Sequence, residues 1–105
     1  MSYGPLATNP ATVTQGTTEN VFWGIDMTAA LPAGGTVTSP TTVFTDLATG
    51  SVITLTDAPT VSGNVVTQRV TGNKLTANHL YEMAVTYTAA ANVNLTSILL
   101  INCPT

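Results

Sequence analysis

Apolar and polar residues alternate in short runs along most of this chain. In the run from 19 to 28, which reads ENVFWGIDMT, every second position is apolar: Val21, Trp23, Ile25 and Met27. The run from 79 to 88 repeats the spacing with Tyr81, Met83, Val85 and Tyr87. Successive side chains of a β-strand point to opposite faces, so each run predicts a strand with one buried face. These two strands supply the predicted structural core: Trp23, Tyr81, Met83 and Val85.

Further short runs complete the pattern, at residues 11–14, 36–44, 51–56, 65–70 and 93–103. Glycine, proline, asparagine and aspartate separate the runs, and these residues favour turns. Pro40 predicts a bulge or a sheet edge, because proline lacks the N–H that a ladder needs. About seven strands at a spacing of roughly 8–12 residues, with no helix of normal length, are typical of a β-sandwich or small barrel. We therefore predict one all-β domain over residues 11–105.

Residues 1–10 differ in character from the rest of the chain. Gly4-Pro5 and Asn9-Pro10 disfavour a regular strand, so we predict an N-terminal arm in front of the domain. The arm either lies across a neighbouring molecule or forms a loose terminus. The first six residues contain no cation and no apolar stretch, so we expect no signal peptide.

The last predicted strand, 93–103, is apolar on both faces. One face holds Val93, Leu95, Leu99 and Ile101, and the other holds Ile98 and Leu100. A strand with two apolar faces is normally covered on both sides. We hypothesise that Ile98 and Leu100 form an interface with another subunit or a capsid. The alternative is that residues 1–10 of the same chain cover these two side chains. Phe22 points away from Trp23 in its own strand, and its expected exposure adds it to the predicted interface residues.

Charged residues make up only 7% of the chain, against roughly 25% in an average domain. The two cations, Arg69 and Lys74, are too few to neutralise a phosphate backbone or to hold a basic helix on a membrane surface. No apolar run approaches the roughly 18 residues of a membrane-spanning helix. Composition therefore argues against nucleic-acid and membrane partners. A surface with so few charges has little electrostatic protection against association and suits a protein that packs against others.

Candidate catalytic and metal-binding residues are sparse. His79 is the only histidine and no Gly-x-Ser-x-Gly elbow is present, so we predict no enzyme and interpret His79 as a strand-end residue on the Tyr81 side. The acids are scattered, at Glu19, Asp26, Asp46, Asp57 and Glu82. We expect each acid to bond a turn, with a calcium site that joins Asp46 and Asp57 as the alternative. Asp26 is predicted to be a solvated or turn-bonded group of ordinary pKa. No metal or cofactor is predicted.

Cys103 is the only cysteine and cannot pair within the chain. We interpret it as a small apolar residue near a strand end, with an intermolecular disulfide as the alternative. A chain without an internal disulfide needs no oxidising compartment, so synthesis in a cytoplasm is expected.

Carbohydrate binding is a further class of function that is compatible with the aromatic residues. Sugar sites on β-sandwiches favour exposed aromatics beside polar groups, and Phe22 is the aromatic whose strand position predicts exposure. One exposed ring makes a weak platform, so a protein interface is the preferred interpretation of Phe22.

Leu75, Tyr81 and Met83 resemble the tyrosine corner of immunoglobulin-like domains, in which a tyrosine hydroxyl bonds to upstream backbone. A broader resemblance covers about residues 19–102. Its motifs are Ile25-Asp26-Met27-Thr28, Leu-Pro-x-Gly-Gly at 31–35, Asp-x-x-Thr-Gly at 46–50, Val-Ser-Gly-Asn-Val-Val at 61–66 and Leu-Tyr-x-Met-x-Val at 80–85. This order is similar to that of small immunoglobulin-like structural proteins of tailed bacteriophages.

The resemblance implies an immunoglobulin-like β-sandwich of about seven antiparallel strands and a non-enzymatic virion protein made in the host cytoplasm. The leading expectation is a capsid decoration protein that binds the outer surface of the head and reinforces it. Its partners are then the major capsid protein, copies of itself in a virion lattice, or both. A tail- or fibre-associated module is the alternative, and a carbohydrate-binding adhesive domain with weak contact to a host-surface glycan is a further one.

Overall fold

The structure, a computed structural model, describes residues 11–104. They form eight strands: β1 (Ala11–Thr14), β2 (Asn20–Asp26), β3 (Thr38–Asp46), β4 (Ser51–Ile53), β5 (Thr60–Ser62), β6 (Val65–Thr71), β7 (His79–Ala90) and β8 (Val93–Cys103). Two one-turn 3-10 helices follow β2 and β6, at Thr28–Ala30 and Gly72–Lys74. No helix in this part of the chain is long and apolar enough to cross a membrane. The predicted arm, residues 1–10, lies outside the described residues.

The strands form two sheets, as in a β-sandwich. The larger sheet has the order β1-β8-β7-β3-β4, and the smaller has the order β2-β6-β5. Apolar side chains from both sheets meet in one core, so the described chain is all-β with a single buried layer. The crossover from β4 to β5 carries the chain from one sheet to the other.

Two features of the strand prediction were wrong. β5 was missed, because Thr60–Ser62 is short, exposed and has no alternating apolar face. The strands are also not all antiparallel, since β1 runs parallel to β8 with Ala11 opposite Leu99 and Val13 opposite Ile101. Strand bounds moved as well: β3 spans Thr38–Asp46 and β4 already ends at Ile53.

The irregularity predicted at Pro40 is present. The register of β3 against β7 shifts between Thr38 and Thr41. Ser39 takes up the shift with a φ of 50°, a left-handed conformation that is uncommon for residues other than glycine.

The side chains expected in the core are buried. Trp23 has an exposed fraction of 6%, and Tyr81, Met83 and Val85 have none. Cys103 is also fully buried at the end of β8, and burial raises the pKa of its thiol. A buried thiol of this kind behaves as a small apolar group and is a poor nucleophile.

The Tyr81 hydroxyl forms the hydrogen bond that its sequence context predicts. It accepts a bond of 2.6 Å from the backbone N–H of Thr76, five positions upstream. The Tyr81 ring stacks on Phe44, with the ring centroids 5.2 Å apart. The hydrogen bond ties the loop before β7 to β7 itself, and the ring contact holds β7 to β3 at the centre of the larger sheet.

Candidate functional site

The outer face of the larger sheet carries a row of apolar side chains. Ile98 lies opposite Ala84, and Ala84 lies opposite Val43. One step along the strands, Leu100 lies opposite Glu82, and Thr45 lies opposite Val52 at the other edge. We call the apolar members of these two rows the apolar stripe: Leu100, Ile98, Ala84, Val43 and Val52.

Water reaches much of the apolar stripe. Val43 is 50% exposed and Val52 is 68% exposed, while Ile98 and Leu100 are partly exposed. The stripe crosses β8, β7, β3 and β4, three strand spacings or about 14 Å. These apolar side chains lie together on one sheet face instead of singly.

A row of threonines lies along one side of the apolar stripe. Thr41, Thr86 and Thr96 form the next row across three strands, and the hydroxyls of Thr86 and Thr96 are 2.9 Å apart. Glu82 is the only charged side chain that the register places on this face within residues 11–104. The face is therefore mostly apolar, with Glu82 as its one charge between Leu100 and Thr45 and with a row of threonine hydroxyls on one flank.

Phe22 lies on the opposite side of the sandwich from Ile98 and Leu100. It is 55% exposed on the outer face of the smaller sheet, directly across from Arg69 of β6. The guanidinium carbon of Arg69 lies 5.6 Å from the centroid of the Phe22 ring, and its Nη1 lies 3.4 Å from Oδ2 of Asp57. The three predicted interface residues thus do not form one surface.

A shallow pocket of about 360 Å³ lies beside Phe22. It is lined by Phe22, Asp57, Ala58, Thr60, Thr67 and Arg69. The Arg69–Asp57 pair is partly exposed, so it contributes little to stability, on the order of 0–1 kcal/mol. Its main effect is to hold the guanidinium over the aromatic ring, which leaves a small amphipathic platform.

The structure brings Asp46 to the only histidine. Oδ2 of Asp46 lies 2.8 Å from Nδ1 of His79, and Oδ1 accepts a 2.9 Å bond from the N–H of Ala48. Burial raises the pKa of the Asp46 carboxyl, but these hydrogen bonds outweigh burial and hold the pKa below its ordinary value. The bond between Asp46 and His79 fastens the end of β3 to the start of β7.

Three of the four remaining acids bond a turn or a surface cation: Glu19, Asp26 and Asp57. Asp26 accepts bonds from the N–H and the hydroxyl of Thr28, at 2.9 and 2.6 Å. These bonds lower the pKa of Asp26, so the expectation of an ordinary pKa was wrong although the turn role was right. Asp46 and Asp57 have different partners, His79 and Arg69. Residues 11–104 contain no group of three or more potential metal ligands.

Sequence reasoning missed Val43 and Val52 as surface residues. Val43 precedes the core residue Phe44, so strict alternation in β3 would have placed it on the outer face. Only the pairing of β3 with β7 and β4 shows that both valines lie on the same face as Ile98 and Leu100. No protein-family model, curated protein or solved structure matches the chain.

Proposed function

We propose that the domain is immunoglobulin-like and acts as a non-enzymatic bacteriophage virion protein, most directly a capsid decoration protein. The strand orders support the first part. If β2 to β8 are taken as strands B, C, C′, D, E, F and G, the sheets become B-E-D and G-F-C-C′, the arrangement of the immunoglobulin sandwich. The bond from Thr76 to the hydroxyl of Tyr81, at the start of strand F, is the corner expected of that class.

The observation that carries the binding role is the apolar stripe on the outer face of the larger sheet. Apolar area removed from water contributes roughly 25 cal/mol per Å², and the stripe is preformed on a rigid sheet, so little ordering cost opposes association. The row of threonines offers hydroxyl groups for one flank of a contact. The partner in this proposal is the surface of the major capsid protein, with copies of this chain as neighbours in the lattice.

A decoration protein of this kind works by adding contacts between lattice subunits rather than by chemistry. Many copies bind a repeating surface, so a modest affinity per copy reinforces the whole shell. The low charge of the chain, two cations and five acids, keeps repulsion between neighbouring copies small. A tail- or fibre-associated module is the alternative, since the same face would serve a tail lattice equally well.

The test is co-sedimentation with empty heads assembled from the major capsid protein of the same genome. We expect the wild-type protein to sediment with the heads and Leu100→Lys to remain in the supernatant. Lysine is chosen because an acid at this position would face Glu82 and disturb the sheet by repulsion. Leu47→Lys is the matched control, since Leu47 is 45% exposed in the β3–β4 turn and is not a member of the stripe. Binding of assembled tails but not heads would favour the alternative.

Carbohydrate binding is a second candidate, favoured by the exposed ring of Phe22 beside Arg69 and Asp57. An apolar ring with a donor and an acceptor close by matches the faces and hydroxyls of a sugar. Saturable binding to a glycan array that is lost in Phe22→Ala but kept in Leu100→Lys would assign this function to the smaller sheet.

A further inference from the structure

The crossover from β4 to β5 borders a second pocket. The chain leaves the larger sheet at Ile53 and joins the smaller sheet at Thr60, so residues 54–59 bridge two sheet edges. Because β4 is only three residues long, β3 extends beyond it, and the β4 side of β3 has no paired strand beside Thr42. The gap forms a pocket of about 420 Å³, within the size range of ligand sites.

Most of the pocket wall is apolar. The apolar lining residues are Val43, Phe44, Val52, Ile53, Leu55, Ala58 and Pro59. Asp57 is the only charged residue that lines the pocket. Its carboxylate pairs with Arg69, which is not one of the lining residues. An anion therefore finds no positive partner here, and a cation would lose its hydration against apolar walls.

Two buried polar atoms on the pocket residues have no hydrogen-bond partner. Within residues 11–104, four buried side-chain polar atoms are unpartnered, and two of them, Oγ1 of Thr42 and Oε1 of Gln68, lie on residues that line this pocket but have almost no area open to water. Gln68 is only 1% exposed, which makes its unused acceptor the more costly. Buried unpartnered atoms are rare in folded proteins, and two on one pocket indicate a missing partner.

The orientation of the Gln68 amide is determined by its other bonds. Its Nε2 donates to the backbone oxygens of Asp57 and Arg69, at 2.8 and 3.0 Å. Both partners are acceptors, so a flipped amide would set oxygen against oxygen. Oε1 is therefore the free atom, and it requires a donor. Thr42 Oγ1 either donates or accepts, because a hydroxyl does both.

We propose that this pocket binds a small neutral molecule with an apolar body and a hydroxyl or primary-amide head. Once side chains of the pocket wall move aside, the head donates to Oε1 of Gln68 and exchanges a second bond with Oγ1 of Thr42, while the body packs against Phe44, Ile53 and Leu55. The proposal rests on Gln68 and Thr42, which belong neither to the apolar stripe nor to the surface around Phe22, although Val43 and Val52 of the stripe also line the pocket.

Nuclear magnetic resonance titration tests the proposal with benzamide as the probe. We expect saturable shifts of the Gln68 side-chain NH₂ signals and of the backbone signals of Leu55 and Ala58. Toluene, which has no polar head, should bind at least fivefold more weakly, and benzoate should cause no saturable shift. Absence of saturable benzamide shifts at these positions, or equal binding of toluene, would show that solvent alone fills the pocket and would overturn the proposal.

Substitutions at Thr42 separate recognition from packing. Thr42→Val keeps the shape but removes the hydroxyl, so we expect a fivefold or greater loss of benzamide affinity together with a higher Tm of the free protein. Thr42→Ser keeps the hydroxyl and should keep the affinity. Thr41→Val is the matched control, because Thr41 is the neighbouring exposed threonine, and it should change neither quantity. Unchanged affinity in Thr42→Val would contradict the proposed role of the hydroxyl.

Discussion

The indole Nε1–H of Trp23 donates a 2.7 Å hydrogen bond to Oε1 of Gln15, a side chain with no exposure at all. The amide Nε2 of Gln15 in turn donates to the backbone oxygens of Glu19 and Val70, at 2.9 and 2.8 Å. One buried glutamine thus joins the segment after β1 to the largest core side chain and to β6. Every polar atom of this network is used, in contrast to Gln68.

Gln15→Leu should destabilise the protein by about 2–4 kcal/mol, because it leaves the indole N–H and two backbone oxygens without partners. Urea unfolding of the variant measures the change. The double variant with Trp23→Phe should lose less than the sum of the two single losses, since both remove the same bond. Thr18→Ala, an exposed change in the same segment, is the control and should stay within about 0.5 kcal/mol.

Trp23→Ala should cost roughly 3–5 kcal/mol, because it opens a large cavity in the core. Asp26→Asn, three positions away on the other face, should cost less than about 1 kcal/mol, since the amide oxygen still accepts the bonds from Thr28. Urea unfolding of the two variants in one series checks that Trp23→Ala lowers stability more than Asp26→Asn does. A larger effect of Asp26→Asn would contradict the roles given to the two residues.

Asp46 should contribute less to the stability of the folded protein at acidic pH. Its pKa in the folded protein lies below the ordinary value of 3.8, so the folded state favours the carboxylate more than the unfolded state does. Its stabilising effect is therefore complete above pH 3.8 and fades as the pH falls through the folded value. The stability difference between wild type and Asp46→Asn, measured by urea unfolding from pH 7 to pH 2, should shrink over that acidic range. If the stability difference between wild type and Asp46→Asn stayed constant from pH 7 to pH 2, the lowered pKa of Asp46 would be contradicted.

Tyr81→Phe should destabilise the protein by about 1–3 kcal/mol, because the N–H of Thr76 loses its acceptor. Tyr87→Phe is the matched control on the same face of β7. The hydroxyl of Tyr87 is buried and has no partner among residues 11–104, so its removal should leave stability unchanged or raise it. Thermal unfolding of the two variants side by side gives the comparison.

Gly72→Ala should cost about 1–3 kcal/mol through overpacking. A Cβ at this position would clash with the backbone oxygens of Thr17 and Glu19, so backbone would have to move. Gly16→Ala is the control, since its added carbon would meet only the flexible side chain of Glu19, at 3.3 Å. Equal losses in the two variants would show that the close approach at Gly72 is not what requires glycine.

Local alternation was enough to predict the central strands and what they bury. Trp23 and Tyr81 sit in long period-two runs, and the face of such a run depends only on neighbours in the sequence. The same local rule predicted the exposure of Phe22. It failed for Thr60–Ser62, whose pairing with β6 is made by backbone hydrogen bonds and leaves no mark in the side-chain pattern.

Only the tertiary structure decided which of these residues meet. The bond from Gln15 to the oxygen of Val70 spans 55 positions, and that between Asp46 and His79 spans 33. The gathering of Val43 and Val52 beside Ile98, and the separation of Phe22 onto the other sheet, follow from strand order in the same way. The sequence by itself determined the buried face of the long alternating strands, because that face is set between neighbouring residues. The surfaces and networks depend on sheet pairing, which is a property of the whole chain.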